Sequence, residues 1–101
     1  MATKVQVTGD KVTLSLSGCF DFTAHWEFRR GYEKALQQAG VKGLEVDLGR
    51  VKYIDSSALG MLLLLKEDAE RANQPITLVN CRGVVRRVLD VANFDKLFTL
   101  G

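Results

Sequence analysis

The sequence predicts an α/β domain in which a mixed sheet of four to five strands is flanked by helices. Apolar and polar residues alternate over residues 4–17, a period of two that is typical of a β-hairpin with one solvated face. After residue 18, segments with strand periodicity alternate with segments of helical periodicity, which indicates parallel strands joined by crossover helices. The predicted order is β-β-α-β-α-β-α.

The opening hairpin turns at Gly9-Asp10, a dipeptide that favours a tight turn. Valine before the turn, and valine and leucine after it, occupy alternate positions, so each strand has one apolar face. We expect the hairpin to add an antiparallel edge strand to the sheet, with Gly18 closing its second strand.

The first predicted helix follows the segment "GCFDFTA". Asp21 or Thr23 caps its start, and Gly40 ends it. Gly31 in its interior costs about 1 kcal/mol relative to alanine, and close packing would account for it. The apolar residues at helical spacing are Phe28, Tyr32, Ala35, Leu36 and Ala39.

The remaining elements follow in strict alternation. A short strand covers residues 44–48, and a second helix opens at Asp55 and is stopped by Asn73 and Pro75. The first half of that helix is apolar almost all round, which predicts that it is buried, including the run Leu62–Leu65. A strand "ITLVN", a helix over residues 84–92 and a short apolar tail complete the chain.

Length and composition exclude several classes of protein. A chain of 101 residues predicts one domain over residues 1–101, and a net charge of +2 implies no direct nucleic-acid partner. The longest apolar run is far shorter than the ~20 residues that span a bilayer, so we expect a cytoplasmic protein without membrane insertion. Two distant cysteines and one histidine predict free, buried thiols, no metal site and no cofactor.

The segment "YIDSSALGM" places two hydroxyls at the start of the second helix. In the simplest interpretation, Asp55 or a serine caps the helix. A catalytic serine would need a base and an orienting group, but the only histidine is His25 and there is no G-x-S-x-G motif. A third interpretation is phosphorylation, because a helix N-terminus accommodates an anion.

Several segments, taken in order, resemble the STAS domain, the fold of bacterial anti-sigma factor antagonists. They are the hairpin, "GCFDFTA", "LEVDL", "YIDSSALGMLLLL", "ITLVN" and the last helix, and together they cover nearly the whole chain. The resemblance implies a single STAS-like domain. The core Asp55-Ser56-Ser57-Ala58-Leu59-Gly60 is its most specific signature.

The resemblance implies that Ser56 is the phosphate acceptor, with Ser57 as the alternative. It also implies that Asp21, an acidic position facing the partner kinase in the family, belongs to the partner-binding residues. The others are Asp55, Ser56, Ser57 and Ala58. Two departures from the family pattern are Cys19, where glutamate is common, and Ala58, where glycine is common and where alanine stiffens the start of the helix.

The mechanism that the resemblance implies is partner switching, in a protein that is not an enzyme. The unmodified domain binds an anti-sigma factor, often itself a GHKL-type serine kinase, and so releases a sigma factor. Phosphorylation breaks this contact, and a PPM-type phosphatase restores it. The alternative is a non-switching STAS adaptor subunit of a membrane transport or lipid-transport ATPase complex, in which the serine only caps the helix.

Two further features allow both a structural and a functional interpretation. The basic cluster Arg82, Arg86 and Arg87 is expected to be a solvated helix face, or else a contact for an acidic partner. Trp26 is expected in the core, whereas an exposed tryptophan at this position would be a natural anchor for a partner.

Overall fold

The computed structural model describes residues 1–38 and 42–101; the predicted helix end at Gly40 and the helical position of Ala39 lie outside the described residues. The described residues form three α-helices, five strands and two 3₁₀ turns, Phe22–Ala24 and Phe94–Lys96. The helices are α1 (His25–Leu36), α2 (Ser56–Arg71) and α3 (Gly83–Val91). The strands are β1 (Ala2–Thr8), β2 (Lys11–Phe20), β3 (Gly43–Ile54), β4 (Ile76–Val79) and β5 (Thr99–Leu100).

The five strands form one mixed sheet in the order β1-β2-β3-β4-β5. β1 pairs antiparallel with β2, and every other pair is parallel. The predicted fold class is therefore confirmed, and the sheet has the larger of the two expected strand numbers. The fifth strand comes from the short apolar tail, where Thr99 and Leu100 pair with Thr77 and Leu78 of β4.

Strands β2 and β3 are longer than the alternation of residue types predicts. β2 continues past Gly18, and β3 reaches Ile54 instead of ending near Leu48. Two register shifts, between Ser15 and Ser17 and between Gly18 and Cys19, place extra residues in β3. Such bulges interrupt the alternation of apolar and polar residues. For this reason the second half of β3 cannot be predicted from the residue pattern.

The hydrophobic core lies on one face of the sheet. The alternate residues of β2 and β3 on that face are buried, while the residues between them, such as Ser15 and Asp47, are only half-buried. This leaves the second sheet face open to solvent and gives the domain two layers, a sheet and a helical layer. The core positions of the two central strands are Val12, Leu14, Leu16, Leu44, Val46 and Leu48.

The prediction that the first half of α2 is buried on all sides is wrong. Leu62 and Leu65 are fully buried, whereas Leu63 is 39% exposed and Leu64 is 45% exposed. In a two-layer fold the helical layer has solvent on its outer side, so a helix that is apolar all round must expose part of its surface.

Close packing accounts for Gly31 in the middle of α1. A Cβ atom at this position would lie 3.2 Å from Cδ1 of Leu14 and 3.3 Å from Cβ of Thr3. The absence of a side chain lets α1 approach the hairpin. α1 is also tied to α2, because the Tyr32 hydroxyl donates a hydrogen bond of 2.7 Å to Asp68.

Both cysteines are free thiols; Cys81 is buried as predicted, and Cys19 is half-buried. Burial raises the pKa of the Cys81 thiol. Within residues 1–38 and 42–101, no helix has the length and apolar character needed to cross a membrane.

Candidate functional site

The sheet register brings the two predicted acidic residues to the same edge. Phe20, the last residue of β2, pairs with Ile54, the last residue of the parallel strand β3. Asp21 and Asp55 follow these residues directly, so both leave the sheet at adjacent strand ends. The Asp55 backbone N–H also donates to the carbonyl oxygen of Phe20 (3.3 Å), which connects the two chain segments.

Asp55 forms the whole connection between β3 and α2 and caps the helix. Its carboxylate accepts hydrogen bonds from the Ala58 backbone N–H (3.0 Å) and from the Ser57 hydroxyl (3.0 Å). The first bond satisfies one of the free N–H groups at the helix start. The capping interpretation is therefore confirmed, with Asp55 as the capping residue.

The two serines differ in accessibility. Ser56 is the first residue of α2 and is exposed, and its hydroxyl has no hydrogen-bond partner among the described residues. Ser57 is half-buried, and its hydroxyl is held by Asp55. Of the two candidate acceptors, only Ser56 has an unengaged oxygen at the helix N-terminus, where the dipole favours negative charge.

Ala58 is fully buried, so its side chain faces the core and not the surface that Ser56 occupies. Its contribution to the site is its backbone N–H, which Asp55 binds. The other four predicted site residues lie at the edge where β2 and β3 end.

Asp21 is held by a local network. Its carboxylate accepts hydrogen bonds from the Thr23 backbone N–H (3.0 Å), the Thr23 hydroxyl and the Tyr53 hydroxyl (3.1 Å). The bonds from Thr23, and to a lesser extent the one from Tyr53, hold the pKa of Asp21 below its usual value. In turn, the hydrogen bond to Asp21, followed by the negative charge of Asp21, raises the pKa of Tyr53 to about 12. At neutral pH the site therefore carries an ionised aspartate beside a neutral phenol.

Large apolar side chains are exposed beside Asp21. Phe22 is 71% exposed and Trp26 is 74% exposed, so the expectation that Trp26 belongs to the core is wrong. Phe22 lies in the 3₁₀ turn that Asp21 caps, and Trp26 lies in the first turn of α1. Exposed aromatic residues of this kind are typical of protein–protein contacts.

The exposed face of α2 continues the surface that begins at Ser56. Ser56, Gly60, Leu63 and Leu64 are spaced so that they share one side of the helix, and all four are exposed. Sequence periodicity missed this apolar surface because leucines occupy both sides of α2. We call the exposed residues Phe22, Trp26, Tyr53, Ser56, Gly60, Leu63 and Leu64, together with Asp21 and Asp55, the Ser56 surface.

The site has few features of a catalytic or metal centre. In the part of the chain that the structure describes, no group of three metal-binding side chains is present. His25 is exposed and, among the same residues, makes no hydrogen bond to either serine. The arrangement offers a hydroxyl that another enzyme can modify, beside apolar side chains that a protein can cover.

The basic cluster of α3 is divided by its contacts. Arg86 pairs with Asp90 (3.1 Å), and Arg82 donates to the carbonyl oxygen of Gly49 (3.4 Å). Arg87 is exposed. Of the three arginines, Arg86 is thus paired with an acidic side chain, which agrees with the interpretation as a solvated helix face.

Sequence comparison identifies the family. The family described as "Mlab, STAS domain" matches residues 3–100. The chain belongs to the STAS domain family. It is 44% identical over 92 residues to a STAS-domain containing protein of Pseudomonas aeruginosa, covering 91% of this chain and 89% of the relative.

Two solved structures have the same fold at low sequence identity. One is an anti-sigma factor antagonist from Mycobacterium paratuberculosis, with a TM-score of 0.86 and 21% identity, covering 98% of this chain and 83% of that one. The other is the Bacillus cell fate determinant SpoIIAA in its phosphorylated form, with a TM-score of 0.71 and 23% identity, covering 99% and 91%. These similarities show that the chain shares the arrangement of sheet and helices with both structures.

Proposed function

We propose that this STAS domain is an anti-sigma factor antagonist that is switched off by phosphorylation of Ser56. The observation that carries the proposal is the exposed, unengaged hydroxyl of Ser56 at the N-terminus of α2, beside the apolar Ser56 surface. In the unmodified form this surface binds an anti-sigma factor or a GHKL-type serine kinase. The domain itself is a ligand and a substrate, not an enzyme.

The switch follows from electrostatics. A phosphate on Ser56 adds about −1.5 to −2 charges next to Asp55 and at the edge that also carries Asp21. The backbone N–H groups at the start of α2 stabilise this charge, so the domain stays folded. A partner that covers Leu63 and Leu64 must then take a concentrated negative charge out of water, which is costly unless the partner pairs that charge.

Phosphorylation is tested in the native host with a phosphate-affinity gel. We expect a retarded band for the wild-type chain that disappears after treatment with a PPM-type phosphatase. The band should be absent in Ser56→Ala and present in Ser57→Ala, because the Ser57 hydroxyl is held by Asp55. A band that survives in Ser56→Ala and is lost in Ser57→Ala would move the acceptor to Ser57.

Partner binding is tested with purified anti-sigma factor identified by pull-down with Ser56→Ala. Ser56→Asp should weaken binding at least about tenfold, because the added carboxylate loses its hydration when the partner covers it. Asn73→Asp is the matched control, because Asn73 is exposed and follows the C-terminal end of α2, whereas Ser56 lies at its start. Equal binding by wild type, Ser56→Asp and Asn73→Asp would contradict the switch.

The alternative function is the non-switching adaptor of a transport ATPase complex. It predicts no phosphorylated band in the host, and it predicts that an ATPase subunit is recovered with both the wild type and Ser56→Asp. The two experiments therefore distinguish the alternatives without requiring the kinase to be known in advance.

A further inference from the structure

Strand β1 has an open edge that is unusual for its length. β1 is the first strand in the sheet order, and among the described residues only β2 pairs with it. Its seven residues pair with β2 in an unbroken register and include no proline. Proline, bulges and several charges are the usual means of protecting an edge strand, whereas β1 has a single charge, Lys4. The opposite edge, β5, has only two residues.

We propose that β1 pairs with β1 of a second copy of this chain, antiparallel about a two-fold axis at Val5. This arrangement joins the two five-stranded sheets into one continuous sheet. It is independent of the proposed function, because neither Ser56 nor Asp21 lies in β1.

In this register the side chains of β1 form no like-charge pair and bring an exposed valine into contact with the second copy. Lys4 lies opposite the second copy's Gln6, so the only charged residue of the strand meets a neutral amide. Thr3 lies opposite Val7, which is 48% exposed in the single chain. Val7 and Val5 share a sheet face, since they pair with the core residues Val12 and Leu14 of β2. The pairing therefore covers apolar surface that the single chain leaves exposed.

The helix beside the edge is electrostatically compatible with a second copy. A cleft of about 560 Å³ lies between β1 and α1 and contains Thr3 and Val5 from the strand. Its charged residues are two acids and two bases, so its formal charge is zero and two copies of the surface are not repelled. These charged residues are Glu27, Arg30, Glu33 and Lys34.

Opposite charges at Gln6 test both the interface and its register. Gln6→Glu places a carboxylate opposite Lys4 twice in each dimer, and Gln6→Lys places two cations opposite each other at the same two positions. Because a cross-strand charge pair contributes modestly and occurs twice, the dimer dissociation constant should fall about 2- to 30-fold for Gln6→Glu and rise by a similar factor for Gln6→Lys. Sedimentation velocity over a concentration series measures both constants.

Thr13→Glu and Thr13→Lys are the matched controls. Thr13 lies in β2, where it pairs with Gln6 of β1, so both residues are on the same sheet face. Thr13 is one strand away from the open edge. These variants should leave the dissociation constant unchanged, and circular dichroism should show the same folded content for all four variants. Hydrogen exchange of the β1 amides should slow as the protein concentration rises.

Three results would overturn the proposal. The first is a chain that stays monomeric at every concentration, as expected if the edge receives a strand from a different protein or none. The second is a dimer whose dissociation constant responds equally to the Thr13 and Gln6 variants. The third is weakening by both Gln6→Glu and Gln6→Lys, which would place Gln6 opposite itself and move the axis away from Val5.

Discussion

At the scale of single residues, Asp55 links the fold to the candidate site. It directly follows the last residue of β3, caps α2 through the Ala58 backbone N–H and holds the hydroxyl of Ser57. Ser56 lies between these contacts and takes part in none of them. The same few atoms thus stabilise the start of the helix and leave one hydroxyl available for chemistry.

This division of roles predicts different stabilities for neighbouring variants. Asp55→Ala removes the cap and should lower the free energy of unfolding by about 1 kcal/mol. Ser56→Ala removes an exposed hydroxyl that has no partner among residues 1–38 and 42–101, and it should change the free energy of unfolding by less than about 0.5 kcal/mol. Urea denaturation followed by circular dichroism gives both values. Equal losses would show that Ser56 also has a structural role.

Tyr32 is the residue that connects α1 to α2. It is 2% exposed, and its hydroxyl donates to Asp68. Burial, followed by the hydrogen bond and the negative charge of Asp68, raises the pKa of Tyr32 well above its usual value. The phenol is therefore neutral in the folded chain at a pH where it already ionises in the unfolded chain.

The direction of this pKa shift determines how the free energy of unfolding changes with pH. The stability that Tyr32 contributes is complete below its unfolded pKa of about 10 and is lost as the pH rises above that value towards the folded pKa. Tyr32→Phe should cost about 1 kcal/mol at neutral pH and make the decline above pH ~10 shallower. Ser56→Ala is the control, because it removes an exposed hydroxyl that does not titrate in this pH range. Urea denaturation at several alkaline pH values measures the slopes, and an unchanged slope in Tyr32→Phe would contradict the assignment.

At the scale of elements, α2 packs one side against the core and exposes the other side to solvent. Its buried side includes Met61, Leu62 and Leu65, and its outer side carries Leu63 and Leu64. Leucines that are partly exposed contribute less to folding than fully buried ones, and we propose that a partner covers the exposed part of Leu63 and Leu64.

Adjacent leucines of α2 provide a direct test. Leu62→Ala should lower the free energy of unfolding by about 2–5 kcal/mol because it opens a cavity in the core. Leu63→Ala should lower the free energy of unfolding by only about 1 kcal/mol, because its side chain is partly exposed, yet weaken binding of the anti-sigma partner. Thermal denaturation and a binding titration separate the two effects. A Leu63→Ala chain that binds as tightly as the wild type would remove α2 from the docking surface.

At the scale of the whole molecule, stability is concentrated in the centre of the sheet. β2 and β3 each have a strand on both sides and contribute fully buried side chains to one hydrophobic core. β1 and β5 lie at the edges. A single core of this size is expected to unfold cooperatively.

Native-state hydrogen exchange checks this distribution. The backbone amides of Leu14 and Val46 should exchange only through global unfolding, whereas Leu100 in the two-residue strand β5 should exchange through local opening. The exchange rate of the Leu14 amide should therefore rise steeply with urea concentration, and that of the Leu100 amide should rise only weakly. An equal response of the two amides to urea would contradict this prediction, because it would show that the edge strands open together with the centre of the sheet.

Much of this architecture was predictable because local patterns carry it. The hairpin follows from alternation around Gly9-Asp10, and the helix start follows from Asp55, whose capping chemistry depends only on near neighbours. The second half of β3 was not predictable, because its bulges depend on pairing with β2. Strand β5 was missed because two residues form a strand only when β4 lies beside them.

The sequence by itself determined the fold class, the element order and the position of the serine pair, since periodicity and capping act over a few residues. Only the tertiary structure decided which hydroxyl is accessible and which leucines of α2 are exposed. Leucines on both sides of a helix look alike in a pattern, and the side that receives solvent is set by the layer against which the helix packs. The exposed surface beside Ser56 is therefore a property of the assembled domain.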